Sequence, residues 1–290
     1  MTSRTRRAWA GALAAATLAV GGLAISTPAG AQSNPFQRGP APTPTSVTQQ
    51  TGPFAIQTQA VARQTGFNGG TIYFPTSTSE GTFGAVVATP GFTEGQNVLQ
   101  WAGRYLGSNG FVVMTINTNT ILDFPTARSN QMRAAMTWLT TSSPVAGRID
   151  RNRTAFIGHS MGGGGSLESG RALPDTEAVV GFQPWDVGQN FGTMQVSTLI
   201  VAAQSDPIAP KNQYARPFYN QIPASAEKAY LEIANAGHFV GTNFNVPQAR
   251  STLSWLKRYV DDDTRYDQFL CPPPSGAGIA TYLDTCPTGS

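Results

Sequence analysis

The sequence predicts an α/β fold, a mostly parallel central sheet with helices on both faces. Three observations predict it. The runs 84–88 (GAVVA) and 111–116 (FVVMTI) are continuously apolar, as in strands buried on both sides of a parallel sheet. Between them Val98, Trp101 and Leu106 recur at helical spacing. The same alternation of a short β-branched or aromatic run with a longer helical pattern then repeats down the chain, which gives a parallel sheet with crossover helices.

The chain opens on Arg4, Arg6 and Arg7, an Ala/Leu/Gly-rich stretch over 8–25, and Ala29-Gly30-Ala31. A basic start, an apolar middle and small residues in an A-x-A pattern predict a secretory signal peptide over 1–31, cleaved after Ala31. The stretch is only weakly apolar and no basic stop-transfer cluster follows, which argues against a membrane anchor. Residues 32–290 are then expected to form a single domain. Within it, 32–46 with Pro35, Pro40, Pro42 and Pro44 reads as an extended lead-in. Strands are expected at 54–61 and 71–74, the second stopped by Pro75. Met132, Met136 and Leu139 mark a helix, and 154–157 (TAFI) a short strand. Further strands are expected at 178–182, 199–203 and 230–233, and a last helix over 248–260.

Charge narrows the partners. The chain has 19 Lys+Arg and 16 Asp+Glu, a formal charge of +3. The three leader arginines account for the whole excess, because 1–31 contain no acid. The remainder is balanced and sparsely charged. Neither a nucleic-acid partner nor attraction to an acidic membrane has an electrostatic basis.

Cys271 and Cys286 are the only cysteines, both near the C-terminus. In an oxidising compartment they are expected to form a disulfide that pins the tail, worth roughly 3 kcal/mol in the chain-entropy argument. Too few other Cys and His lie nearby for a metal site.

Chemistry concentrates at Gly158-His159-Ser160-Met161-Gly162, a G-x-S-x-G entered by a strand and left by a helix-compatible stretch. That context makes Ser160 the expected nucleophile, presented on a sharp strand-to-helix turn. A phosphate-binding reading fails because no Gly-Lys-Ser/Thr follows. Serine needs a base to take its proton. Of the two histidines, His159 adjoins Ser160 and is awkwardly placed to bond its hydroxyl. His238, just past the strand YLEI, is therefore the expected base. A carboxylate must orient and stabilise the imidazole. Asp206 and Asp186 both follow strands and both fit the order Ser, Asp, His of α/β-hydrolases. Asp206 is favoured because its strand directly precedes the histidine strand, leaving Asp186 as a loop-anchoring carboxylate. The oxyanion needs two backbone N–H groups, expected from Met161 and from Phe92 in the turn Pro90-Gly91-Phe92-Thr93.

These residues, with 85–93, 110–117, Asp206-Pro207-Ile208-Ala209-Pro210 and Asp262-Asp263-Thr264-Arg265-Tyr266, closely resemble the bacterial cutinases, a group that includes the PET hydrolases. The resemblance spans essentially the whole chain after residue 31. It implies an α/β-hydrolase fold with no lid domain and a secreted serine esterase acting on polyesters. It places Ser160, Asp206 and His238 on the family's triad, selecting Asp206 over Asp186. It places the Phe92 and Met161 amides on the oxyanion positions, Trp185 on the aromatic-ring clamp, and Cys271 with Cys286 on the C-terminal disulfide. Phe92, Met161, Trp185, His159 and Phe239 are expected to contact substrate. Phe92 departs from the Tyr common in the family. Ala203 and Val240 stand where one mesophilic member carries a second disulfide. Gln204 and Ala234 stand where some members hold a divalent cation through carboxylates, so no metal or other cofactor is expected.

The short connection after residue 182 independently favours an open groove, since about 15 residues do not build a helical lid. The chain is expected to act as a monomer on a polymeric or small ester, without inserting into a membrane. Two other readings stay open: a small-ester or triglyceride esterase with little polymer activity, and a non-catalytic secreted binding module.

Overall fold

In the computed structural model, which describes residues 34–187 and 190–286, nine strands hydrogen-bond in the order β1-β2-β4-β3-β5-β6-β7-β8-β9. They are β1 (Ile56–Val61), β2 (Gly70–Pro75), β3 (Phe83–Thr89), β4 (Phe111–Ile116), β5 (Ile149–His159), β6 (Ala178–Phe182), β7 (Ser197–Ala203), β8 (Lys228–Ile233) and β9 (Ile279–Asp284). From β4 through β3, β5, β6 and β7 to β8 all pairings are parallel. The β1–β2, β2–β4 and β8–β9 pairings are antiparallel and close the two sides. This is the α/β-hydrolase arrangement. The leader expected at 1–31 lies outside the described residues.

Five helices cover the sheet: α1 (Gln100–Ser108), α2 (Pro125–Thr141), α3 (Met161–Ala172), α4 (Ala215–Gln221) and α5 (Val246–Val260). The period of two along a strand sorts the core into two layers. On β3, Ala85 and Val87 pack with Met132 of α2, Leu167 of α3 and Phe218 of α4. Val86 and Ala88 face the other way, with Leu106 of α1 and Leu253 and Trp255 of α5. Every β3 residue is therefore buried, which is why the run shows no polar alternation.

Four elements differ from expectation. Strand β5 begins at Ile149, five residues before the expected start, with Arg151 and Asn152 exposed and Arg153 buried. Arg153 pairs with Asp150 at 3.1 Å and with the buried Asp261 at 2.6 Å. Helix α4 and edge strand β9 are additional. The lead-in is irregular rather than extended; buried Arg38 ties it to the carbonyls of Thr82, Pro35 and Gln37, and a short 3-10 turn follows at Ser46–Thr48. Cys271 and Cys286 are disulfide-bonded across a Cα separation of 5.9 Å, enclosing the segment that carries β9. Among the described residues no helix is long and apolar enough to cross a membrane.

Candidate active site

The carboxyl ends of the parallel strands carry the chemistry-bearing residues to one edge of the sheet, where open α/β sheets place their sites. Ser160 follows β5, Asp206 follows β7, and His238 opens the short 3-10 turn His238–Thr242 after β8. Phe92 follows β3 and Trp185 follows β6.

Ser160 sits at φ 55°, ψ −120°, outside the regions an L-residue normally adopts. The turn holds it there: its N–H donates to the Phe182 carbonyl at 2.9 Å, and its carbonyl accepts from Gly164 and Trp185 at 3.0 and 2.9 Å. The flanking glycines are required by contact. A Cβ on Gly158 would lie 2.2 Å from the Gly162 carbonyl oxygen, and one on Gly162 would lie 2.2 Å from that of Thr89. The elbow thus packs backbone to backbone against the end of β3.

The side chains form a continuous relay. His238 Nε2 lies 2.9 Å from Ser160 Oγ, and His238 Nδ1 lies 2.7 Å from Asp206 Oδ2. The other carboxylate oxygen, Oδ1, accepts from the Ile208 and Ala209 amides, both at 2.8 Å. Burial pushes the Asp206 carboxyl up, but the His238 hydrogen bond, the two amides and the His238 charge outweigh it and hold it below the ordinary carboxylate value. Asp206 is therefore an ionised acceptor that fixes the imidazole with Nδ1–H toward itself and Nε2 toward the serine. Trp101 Nε1–H donates to the Gly241 carbonyl at 3.0 Å and anchors the turn carrying His238.

It is Asp206, not Asp186, that faces His238. Asp186 is buried, its Oδ2 has no hydrogen-bond partner among the described residues, and burial with the neighbouring Glu168 carboxyl pushes it up to about 8. Its surroundings therefore favour the protonated form over the carboxylate.

The Met161 N–H is the first of α3 and, like that of Phe92, donates no hydrogen bond among the described residues. A helix N-terminus with unpaired amides favours developing negative charge beside Ser160. Phe92 and Phe239 are 41% and 57% exposed, Met161 is nearly covered, and Trp185 is half-buried. His159 departs from expectation: its ring is wholly buried, with Nδ1 2.9 Å from Glu94 Oε2 and Nε2 3.0 Å from the His238 carbonyl oxygen. Its side chain faces protein on both nitrogens and has no exposure to solvent.

Sequence reasoning does not single out Glu94 or Phe124. Phe124 is 56% exposed, with its ring 6.4 Å from Phe92 and 6.1 Å from Trp185, and Trp185 in turn lies 5.8 Å from Tyr214. Phe92, Phe124 and Trp185 thus form a chain of rings that ends on the buried Tyr214. The only local signal at Phe124 is the Pro125 that starts α2, and it marks the helix rather than the ring. At Gln204, Oε1 accepts from the Asn235 amide at 2.9 Å, so that side chain joins the Asp206 and His238 loops. Among the described residues no cluster of three His, Cys, Asp or Glu side chains could hold a metal ion.

Comparison with known proteins places this geometry among relatives. The sequence pattern of the PET hydrolase-like (PETase) family matches residues 30–287. The chain is 48% identical over 284 residues to a bis(hydroxyethyl) terephthalate hydrolase of Streptomyces coelicolor, covering 96% of this chain and 92% of that protein. It is 43% identical over 279 residues to cutinase cut1 of Thermobifida fusca, covering 94% and 87% respectively. It is 44% identical over 260 residues to cutinase 2 of Thermobifida cellulosilytica, covering 88% and 99%.

Proposed function

The chain belongs to the PET hydrolase-like family, and from that premise we propose that it is a secreted serine esterase that cleaves polyester ester bonds through an acyl-enzyme. The observation that carries the reading is the relay Ser160–His238–Asp206, with the Met161 and Phe92 amides unpaired among the described residues and exposed aromatic rings at Phe92, Phe124 and Phe239. The names of the relatives support both aromatic and cutin-type acyl groups. An uncharged polymer also suits a chain whose charges balance after residue 31.

In this reading Ser160 Oγ attacks the ester carbonyl while His238 Nε2 takes its proton. Asp206 stabilises the imidazolium, and the Met161 and Phe92 N–H groups receive the oxyanion, each worth roughly 3 kcal/mol in the transition state. His238 then protonates the departing alcohol, leaving the acyl group on Ser160. Water, deprotonated by the same nitrogen, attacks the acyl carbonyl; the intermediate collapses to the acid as His238 returns that proton to the departing Ser160 Oγ. Phe92, Met161, Trp185 and Phe239 contact the substrate. Residues 1–31 direct export, and 32–290 act as one monomeric domain without a cofactor.

Soluble products released from films of amorphous PET and an aliphatic polyester, and from cutin, test the reading. Product from at least one polymer with wild type and none with Ser160→Ala is expected. Release from none of them overturns the polyester assignment, and undiminished release by Ser160→Ala overturns the nucleophile. A culture-supernatant protein starting at Gln32 tests the leader.

A further inference from the structure

Glu94 is two residues beyond Phe92, in a turn whose geometry is costly to hold. Thr93, a β-branched residue, stands at φ 61°, where such residues are rarely found. The turn is fastened at three points. The Thr93 N–H donates to the Ile121 carbonyl at 2.8 Å, and the Glu94 N–H to the Gly91 carbonyl at 3.3 Å. The third is the Glu94 side chain itself: Oε2 accepts from the Gly91 N–H at 2.6 Å.

That same oxygen is 2.9 Å from His159 Nδ1, and His159 Nε2 is 3.0 Å from the His238 carbonyl oxygen. Both atoms facing the ring nitrogens, Glu94 Oε2 and the His238 carbonyl oxygen, are acceptors that a ring N–H can donate to. One carboxylate oxygen therefore joins the turn bearing the Phe92 amide to the backbone of the general base. The link runs through a side chain with no exposure to solvent. His159 also packs against the catalytic imidazole, ring centroids 4.8 Å apart.

The charges facing Glu94 come from three elements: His159 at the end of β5, His238 after β8, and Arg128 of α2. Burial pushes the carboxyl up, yet the hydrogen bond and charge of His159, the Gly91 amide and the His238 charge hold it below its ordinary value. Arg128, wholly buried, completes the frame by donating to the carbonyls of Pro90 and Ile121 at 3.0 and 2.9 Å. The same turn is thus held by its own carboxylate from one side and by a guanidinium from the other.

We propose that Glu94 is a positioning residue for ester hydrolysis, clamping the Gly91–Phe92 amide turn and, through His159, the backbone of His238 into one frame around Ser160. The proposal rests on the serine-esterase reading above. An amide donor acts chiefly on the developing oxyanion, so a loosened clamp lowers kcat and leaves substrate binding little changed.

The test compares wild type, Glu94→Ala and Glu94→Gln on p-nitrophenyl butyrate, with active sites counted by phosphonate titration so that only folded, competent enzyme is scored. Glu94→Ala is expected to lose roughly 10- to 100-fold in kcat, with KM within about twofold, scaled from the loss of a whole oxyanion donor. Glu94→Gln keeps an acceptor for both N–H groups and is expected to stay within roughly threefold of wild type. A Glu94→Ala enzyme with wild-type kcat per titrated site overturns the proposal, as does a loss confined to KM. A Gln variant as impaired as the Ala variant also overturns it. A wild type that turns over no ester overturns the esterase reading and this one with it; a wild type that turns over and a Glu94→Ala that matches it overturn this one alone.

Discussion

Asp186 and Glu168 hold two buried carboxyl groups against each other where the segment after β6 packs on α3. Thr126 Oγ1 donates to Glu168 at 2.9 Å, while Asp186 Oδ2 has no partner among the described residues. Burial, then the Glu168 charge, raise the Asp186 carboxyl to about 8, so the folded protein keeps a proton that the unfolded chain releases near the ordinary carboxylate value. The sign follows from linkage. The stabilisation is complete below the unfolded value and is lost as pH rises toward about 8, at up to about 1.4 kcal/mol per pH unit. Asp186→Asn cannot ionise and offers Glu168 a donor. Its urea midpoint is expected to exceed that of wild type by a margin that grows between pH 5 and pH 9, as the shift of Asp186 to about 8 requires. Parallel midpoint curves for the two proteins would falsify the assignment of the proton to Asp186.

Asp206 has the opposite sign. Its carboxyl lies below the ordinary value, so it is ionised wherever the folded enzyme is assayed near neutrality. Asp206→Asn keeps the shape but presents a donor to His238 Nδ1, which favours the wrong tautomer at Nε2. A fall of roughly 10⁴-fold in kcat is expected, with little change in KM. Steady-state kinetics on a soluble ester check it; a fall below about tenfold would mean that Asp206 does not orient the base.

The sheet was legible in the sequence where burial on both faces left unbroken apolar runs, as in β3, β4 and β7. It was illegible where tertiary partners override local polarity. The first half of β5 reads Ile149-Asp150-Arg151-Asn152-Arg153, and of its polar residues only Arg153 is buried, held by ion pairs with Asp150 and with Asp261, far along the chain. At the site, Ser160 and His238 were readable because a motif and a scarcity of histidines single them out. Glu94 was not, since a carboxylate in a turn has many local uses and its partner His159 is 65 residues away. His159 was misread for a related reason. The resemblance puts His159 among the substrate contacts, but only the fold reveals that both ring nitrogens already face protein acceptors.

The disulfide bears on stability rather than chemistry. Cys271–Cys286 closes a segment separated by 15 residues and fastens β9, whose residues 279–284 pair with β8. Removing it by Cys271→Ser with Cys286→Ser is expected to cost roughly 3 kcal/mol. The β8–β9 ladder remains, so kcat per titrated site at room temperature is expected to stay within about twofold of wild type while the unfolding transition moves to lower temperature. An unchanged thermal midpoint would place the stability of the tail in the ladder alone.

Phe124 bears on substrate preference. Its exposed ring stands between Phe92 and Trp185, 6.4 and 6.1 Å from their centroids, and continues the aromatic wall toward Tyr214. A polyester with aromatic acyl units can stack on that wall; an aliphatic one gains only area. Edge and offset contacts between rings are worth about 0.5–1.5 kcal/mol beyond burial, so Phe124→Ala is expected to lower product release from PET by roughly 2- to 10-fold relative to release from an aliphatic polyester. Butyrate hydrolysis, which does not reach the wall, is expected to keep its kcat. The two film assays run side by side decide it. Equal losses on both polymers would make Phe124 a general surface for adsorption, with no preference for aromatic units.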